Sequence, residues 1–401
     1  MRPATNKLKL LIYAEYFLPI IGGVQTSVAL LARGLAKRAA SDLAEDQEIE
    51  VALVTRTPAD GMDDSALPYR IVRRPTLLQL TRLVRDADVI HIAGPCFVPL
   101  VLVWLLGKPA AVEHHGYQAS CPNGLLFMDR THSLCPGHFM AGRYAKCLNC
   151  NSGTMGWFGS LRQLLMTFPR RWLCKKVSAN ITISDHVGGR LRLPRSKTIY
   201  YGIEVLEPRQ PQPLRTAMQT LRIAYVGRFV VEKGVPVLLR AAQLLAKTGC
   251  NFEVTLIGDG PERSNLEALS ADLDLTGRVT FAGQLQRKQV DNLLRTTDVV
   301  VMPSLCEETA GLAAMEQMMT GGIVVASEIG GLAEVVNGVG LKFSPGNPEE
   351  LCSRLLNIAN KPSDLIQLGS LARARALNQF TVQRFIAEHA SLYKALLDES
   401  S

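Results

Sequence analysis

Glu308 and Glu316 stand eight residues apart in the segment PSLCEETAGLAAMEQMMTGG (Pro303 to Gly322), on either side of a small-residue turn that opens a helix. If that helix begins near Gly311, its unpaired N–H groups and the positive end of its dipole favour a diphosphate. Glu308 then stands just outside the terminus, and Glu316 lies about 7–8 Å farther along at ~1.5 Å per residue. The two carboxylates can accept hydroxyl hydrogen bonds on either side of such a diphosphate, which is the layout of a nucleotide sugar. A second segment, VGRFVVEKG, places Arg228 and Lys233 directly after an apolar run. An arginine fork with a lysine point charge suits the same anion. The plainer alternatives are an acid-capped helix with one exposed glutamate, and a surface ion pair from Lys233 to Glu232 or a neighbour.

Weaker signals surround these. Gly22-Gly23 in FLPIIGGVQTS opens a helix after the first apolar run, where bare N–H groups could meet a phosphate or merely form a tight turn. LIGDGPER (Leu256 to Arg263) reads G-x-G-x-x-R without the third glycine of a dinucleotide fingerprint, and no Walker A pattern occurs. Hydride transfer and P-loop chemistry therefore lose their best support.

The elements that must carry these loops are short apolar runs alternating with helical periodicity. LKLLIYA, EVALVTR, DVIHIAG, PAAVEHH and NITISD read as strands in the first half, and Val24, Val28, Leu31 and Leu35 share a helix face. Around PRQPQPLRT the periodicity lapses into a linker, then resumes with RIAYVGR, FEVTLIG, RVTFAG, DVVVMPS and IVVASEI. Continuously apolar strands with intervening helices predict parallel sheets covered on both faces, with ligands beyond the carboxyl ends of the strands. The length of 401 residues fits two domains of roughly 150 to 250 residues each, with a cleft between them as the default site. The expected divisions are 1–205, 206–380 and a terminal helix, 381–401, returning to the first domain.

Apolar content of 47% with 20% charged residues is globular composition, and the net charge of +8 favours anionic partners. FPRRWLCKK and GGRLRLPRSK interleave basic with aromatic or aliphatic residues, as a solvated face or one lying on anionic lipid would. FVPLVLVWLL is about half of the ~20 residues that span a bilayer and is expected to be a core helix. The N-terminal apolar run, interrupted by Glu15, reads as a strand rather than a secretion signal, so a cytoplasmic protein is expected.

The ordered set GG, GRFVVEKG, IGDGP and PSLCEETAGLAAMEQM, together with ITISDHV, IYYGIE and SEIGGLAEVV, resembles the family 4 retaining glycosyltransferases, whose hallmark is E-x7-E preceded by PS. The likeness covers nearly the whole chain. It implies an α/β GT-B fold, two doubly wound Rossmann-like domains facing across a cleft. It also implies transfer of a sugar from a UDP- or GDP-sugar to a glycan or lipid-linked acceptor, with no cofactor required for catalysis and no nucleic-acid partner. By position, Glu308 would contact donor-sugar hydroxyls and Glu316 the ribose. Arg228 and Lys233 would hold the diphosphate, with Gly258 and the backbone of Ala310, Gly311 and Leu312 at the donor site. Gly22 and Gly23 would line the acceptor side, and His115, with His114 as second choice, would lie near the transferred sugar. Gly116 and Tyr201 depart from the family's aspartate and asparagine, and Thr309 and Ala310 from its usual glycine and aromatic residue. A nucleotide-sugar epimerase of similar fold and a non-catalytic nucleotide-sugar-binding protein stay open as alternatives.

Between Tyr117 and Gly153 the α/β rhythm stops, and Cys121, Cys135, Cys147 and Cys150 appear with the spacing C-x13-C-x11-C-x2-C. A structural zinc would stabilise a loop with little core of its own, with His132 and His138 as substitute ligands; disulfides and free thiols are the rivals. A subset of the resembled family carries similar cysteines, which implies an accessory that shapes the acceptor side.

Overall fold

In the computed structural model, residues 7–38, 48–209 and 220–399 are described, so the linker read at PRQPQPLRT lies from residue 210 onward outside them. The chain divides into two compact units. One comprises residues 1–126, 136–202 and 381–401, the other 127–135 and 203–380.

In chain order, the first half forms β1 (Lys7–Ala14), α1 (Gly23–Arg38), β2 (Glu48–Thr55), β3 (Arg70–Arg73), α2 (Leu77–Asp86), β4 (Val89–Ala93), α3 (Phe97–Leu106) and β5 (Ala110–His114). There follow a short antiparallel hairpin, β6 (Phe127–Met128) and β7 (Ser133–Leu134), then α4 (Tyr144–Cys174), β8 (Ala179–Thr182), α5 (Asp185–Leu191) and β9 (Ser196–Thr198). Seven strands make a parallel sheet in the order β3-β2-β1-β4-β5-β8-β9. β4, β5 and β8 are buried at every residue, as strands covered on both faces must be. Val28, Leu31 and Leu35 of α1 enter the core of this unit together with Phe385 and Tyr393 from the C-terminal segment.

The second half forms β10 (Leu221–Val226), α6 (Val235–Lys247), β11 (Phe252–Ile257), α7 (Arg263–Asp272), β12 (Val279–Gly283), α8 (Arg287–Arg295), β13 (Val299–Met302), α9 (Leu312–Met319), β14 (Ile323–Ser327), α10 (Gly330–Val335), β15 (Leu341–Phe343), α11 (Pro348–Asn360), α12 (Pro362–Gln379) and α13 (Val382–Asp398). Its sheet runs β12-β11-β10-β13-β14-β15, all parallel. In both sheets the strand order reverses beside the first strand, between β1 and β4 and between β10 and β13. A ligand crevice forms at such a reversal, because the loops on either side of it diverge to opposite faces of the sheet.

Two expectations are corrected. FVPLVLVWLL is not a core helix: α3 buries Pro99, Leu100 and Val103 and leaves Val98, Trp104 and Leu105 exposed. A helix laid on a sheet can bury only one stripe, and Trp104 instead meets Trp172 of α4 with ring centroids 5.2 Å apart. The cysteine-bearing stretch is also more regular than its composition suggested, because α4 starts at Tyr144 and carries Cys147 and Cys150 one turn apart. Gly156, at φ 67° and ψ 173°, cannot be helical and breaks α4 into two helices.

Candidate functional site

β10 ends in a loop that is tied to its neighbour by backbone hydrogen bonds. Gly227 N donates to Ile257 O (3.0 Å) and Phe229 N to Asp259 O (2.9 Å), while Tyr225 Oη donates to Arg228 O (2.9 Å). A single 3₁₀ turn, Val231–Lys233, closes at Gly234, whose φ is 66°. A Cβ there would fall 2.0 Å from Pro303 O, so glycine is what lets this loop run against the one that follows β13. Leu305 N donates to Glu232 O (2.9 Å) and locks the two loops together.

That contact delivers Lys233 to Glu308. The ammonium hydrogen-bonds Oε1 of Glu308, which also accepts from Ser304 Oγ at 2.6 Å. The two side chains are 26% and 12% exposed, so the pair is largely desolvated. Burial alone would raise the Glu308 carboxyl, but the Lys233 charge and the Lys233 and Ser304 hydrogen bonds outweigh it and hold the group below its ordinary value. Burial would likewise lower Lys233, and the Glu308 charge overcomes it and holds the ammonium above its ordinary value. Neither plain alternative describes this arrangement: Lys233 pairs not with Glu232 but with the glutamate that precedes the helix. Arg228, five residues earlier, is exposed.

Gly311 caps α9 in the left-handed region (φ 78°, ψ 60°), so the helix starts at Leu312 with Ala310 buried behind it. Glu316 lies inside α9, and its Oε1 accepts from Arg287 Nη1 at 2.6 Å. Arg287 opens α8, where it also meets Asp291 at 3.0 Å. The sequence reading missed Arg287. Its signal was a cation a few residues beyond the end of a strand, the same pattern that singled out Arg228. Because the pair is half exposed, Arg287→Ala should cost no more than about 1 kcal/mol of stability. Its expected signature is weaker ligand binding at this site, and unchanged binding would show that Glu316 needs no such support.

Gly258 has φ 133°, and a Cβ would meet Gly227 O at 1.9 Å; at Gly260 it would meet Phe229 O at 2.3 Å. The G-x-G of this loop therefore serves close packing of two backbones, the loop after β11 against the loop after β10.

The remaining candidates lie in the other unit. Gly22 directly precedes α1 and Gly23 opens it, and Thr26 N donates to Gly22 O at 2.9 Å. His115 follows β5 with 6% of its side chain exposed. Its Nδ1 is 2.7 Å from Tyr201 Oη, and the two rings stack at 5.7 Å. Tyr201, which departs from the resembled pattern, thus holds the histidine at issue. Burial lowers the His115 pKa to about 4, leaving a neutral ring at physiological pH. His114, the second choice, points to the other face and bonds Asn180 Oδ1 at 2.9 Å; Asn180 Nδ2 donates to the carbonyls of Cys174 and Pro194. It is a core histidine.

Residues 207–375 match the model of the family glycosyl transferases group 1. Among relatives, 2-deoxystreptamine glucosyltransferase of Streptomyces kanamyceticus is 34% identical over 171 residues, which is 42% of this chain and 43% of that protein. The amylovoran biosynthesis glycosyltransferase of Erwinia amylovora is 32% identical over 186 residues, 44% of this chain and 46% of its own length. The chain thus spans less than half the length of these curated relatives. Likeness in three dimensions extends further. HepE of Anabaena, solved with UDP and glucose, superposes with a TM-score of 0.70 over 96% of this chain and 99% of its own, at 17% identity. The fold is GT-B. Sucrose-phosphate synthase of Thermosynechococcus elongatus shares it, with a TM-score of 0.70 over 98% of this chain and 100% of that one, at 20% identity. In this GT-B chain the match to the family model falls on the unit that holds Lys233, Glu308 and Glu316.

Proposed function

We propose that the protein is a retaining glycosyltransferase that moves a sugar from a nucleoside diphosphate sugar onto a hydroxyl of a glycan or lipid-linked acceptor. The observation that carries the proposal is the desolvated Lys233–Glu308 pair set at the β10/β13 reversal, directly ahead of the Gly311-capped helix. Arg228, Lys233 and the first N–H groups of α9 would offset the charge that develops on the departing diphosphate, so the protein itself supplies the stabilising cations. Glu308, held ionised, would accept hydrogen bonds from donor-sugar hydroxyls, and Glu316, oriented by Arg287, those of the ribose. Gly258 and the backbone of Ala310, Gly311 and Leu312 would border the phosphates; Gly22, Gly23 and His115 would serve the acceptor side. The acceptor hydroxyl attacks the anomeric carbon on the face that the diphosphate leaves. As the new C–O bond forms, the C–O bond to phosphate breaks and a phosphate oxygen takes the hydroxyl proton. The anomeric configuration is retained. Relatives that are glycosyltransferases, and a neighbour of the same fold solved with UDP-glucose, support this reading and favour a UDP-sugar.

Calorimetry with a panel of UDP- and GDP-sugars should show one preferred nucleotide, bound at least roughly tenfold more weakly by Glu316→Gln. Binding of no donor by the wild type would overturn the assignment, and an inverted product by NMR would overturn the mechanism alone.

We further propose that the first unit docks on an anionic membrane from the cytoplasmic side. No helix among the described residues is long and apolar enough to cross a bilayer. Trp157 and Phe158, just past the break in α4, are 58% and 86% exposed, and Leu165, Phe168 and Trp172 continue that exposed stripe. Not all of the basic stretch is available to lipid: Arg171 Nη1 donates to Leu191 O (2.8 Å), and Arg195 Nη2 donates to Lys175 O (2.6 Å). Lys175, Lys176, Arg192 and Lys197 remain exposed, and Lys176 lies over the Trp172 ring. Aromatic residues at helical spacing beside lysines suit the boundary between headgroups and acyl chains. Wild-type protein should cosediment with phosphatidylserine vesicles, weakening as salt rises, and Phe158→Asp should lower binding by about tenfold. Equal binding to neutral vesicles at all salt concentrations would contradict it.

The cysteines of the first half are proposed to hold a structural zinc. Cys121, Cys135 and Cys147 are buried and Cys150 half-buried. Asn123 bridges two of them: Cys121 Sγ donates to its Oδ1 (3.0 Å), and its Nδ2 donates to Cys150 Sγ (3.8 Å). Thiols are the soft ligands that zinc takes, and Asn123 marks Cys121 and Cys150 as neighbours.

A further inference from the structure

A second polar cluster lies inside the first unit, on chemistry that neither the donor site nor the cysteines use. His91 of β4 stands opposite Ala111 of β5 in the parallel register, so Glu113, two residues on, projects from the same sheet face. α13 covers that face and brings His389 and Tyr393 to it. His91, Glu113 and His389 have 0%, 1% and 0% of their side chains exposed.

The atoms that meet there do not satisfy one another. His91 Nε2 is 3.2 Å from Glu113 Oε2 without the alignment of a hydrogen bond, and His389 Nε2, at 4.0 Å, is beyond hydrogen-bond distance. His91 Nε2, His389 Nε2 and Glu113 Oε1 are all buried without a hydrogen-bond partner. The other ring nitrogens are occupied: His389 Nδ1 lies 2.8 Å from Phe385 O, and His91 Nδ1 lies 2.9 Å from Tyr393 Oη. A carbonyl can only accept, so His389 Nδ1 carries the ring proton, and Nε2 of the neutral ring turns a bare lone pair toward a carboxylate. Two acceptors facing each other in a dry interior repel, and a cation between them reverses the sign.

A metal ion suits the geometry. The ligand atoms of the three residues lie within 4.8 Å of one another. Zinc bonds of about 2.0–2.1 Å in tetrahedral array separate ligand atoms by roughly 3.3 Å, which small rotations of these side chains reach. A metal-bound histidine commonly has its far ring nitrogen held by another polar group, as the Phe385 carbonyl holds His389 and the Tyr393 hydroxyl holds His91.

We propose that His91, Glu113 and His389 bind a divalent ion of the zinc class, which ties α13 to β4 and β5. Two imidazoles and one carboxylate form a borderline donor set that suits zinc over magnesium or calcium. The ion would also fix the carboxylate against which His115 Nε2 rests at 3.7 Å. The site is thus structural, and it joins the returning C-terminal helix to the strand that presents that histidine.

The test uses the full-length protein stripped with a chelator and reloaded with zinc or cobalt. Cobalt should give visible d–d bands with no thiolate charge-transfer band from this site, which separates it from any ion held by cysteine. The wild type should carry one more equivalent of zinc than His389→Gln by mass spectrometry, and zinc should raise the melting temperature of the wild type by more than it raises that of the variant. Should His389→Gln fail to fold, the cobalt spectrum of the wild type decides alone. Absence of nitrogen- and oxygen-ligated cobalt bands, or equal zinc content and equal zinc-induced shifts in both proteins, would overturn the proposal.

Discussion

In the proposed reaction, Lys233→Met is expected to lower sugar transfer by about 10²–10³-fold in kcat/KM, because it would remove a cation from the departing diphosphate and leave Glu308 buried without its partner. Glu308 would retain only the Ser304 hydrogen bond in a setting where its side chain is 12% exposed, so part of its charge would be lost to protonation. Stability should fall by about 1–3 kcal/mol, the cost of orphaning a largely buried polar group. The pH dependence distinguishes these effects. Glu308 is held below its ordinary value in the folded chain, so its contribution is present above the unfolded carboxyl value and is lost as pH falls through the folded one. Lys233 is held above its ordinary value, so its contribution is present below the unfolded lysine value and is lost as pH rises through the folded one. The stability gap between wild type and variant should therefore shrink below about pH 5, where carboxyls protonate, and above about pH 10, where lysine loses its proton. A variant that keeps transfer within threefold of wild type, or a gap that grows outside that window, would remove the pair from the mechanism.

Gly234→Ala should be among the most damaging single methyls in the second unit. The residue has φ 66°, and the added Cβ would stand 2.0 Å from Pro303 O, a backbone atom with no rotamer to escape into. Left-handed strain and a main-chain collision together should cost about 2–4 kcal/mol. At about 2–4 °C per kcal/mol for a domain of this size, the melting temperature should drop by about 5–15 °C. Relief requires the loops after β10 and β13 to part, which would separate Lys233 from Glu308, so donor binding should fail even in molecules that remain folded. Gly249→Ala is the matched control: its φ is 77°, and nothing lies within 4 Å of the new methyl. That variant isolates the backbone strain, expected at about 1 kcal/mol. Equal losses at the two positions would show that the loop contact does not matter.

The architecture was legible because its signals are local. Continuously apolar strands such as Val299–Met302, separated by helical periodicity, define a covered parallel sheet without knowledge of any distant contact. The start of α9 was legible for the same reason, since Gly311 alone permits the left-handed cap and the two glutamates share one short segment. Composition misled where it does not encode a direction. The all-apolar α3 buries only one stripe, and Arg171 and Arg195 spend their guanidinium groups on nearby carbonyls rather than on solvent or lipid.

What only the tertiary structure decided are contacts between residues far apart in the chain. Arg287 reaches Glu316 across 29 positions, Tyr201 holds His115 across 86, and Tyr393 meets His91 across 302. No spacing in the sequence announces which of these residues face each other. Strand order at the two sheet reversals and the return of α13 to the first sheet bring them together, and burial then sets which of them stay charged. The sequence by itself determined the kind of sheet, the loops at the strand ends and the residue types available for an anion. Folding selected which cation faces which carboxylate, because pairing energy depends on separation and desolvation, and those are properties of the packed chain.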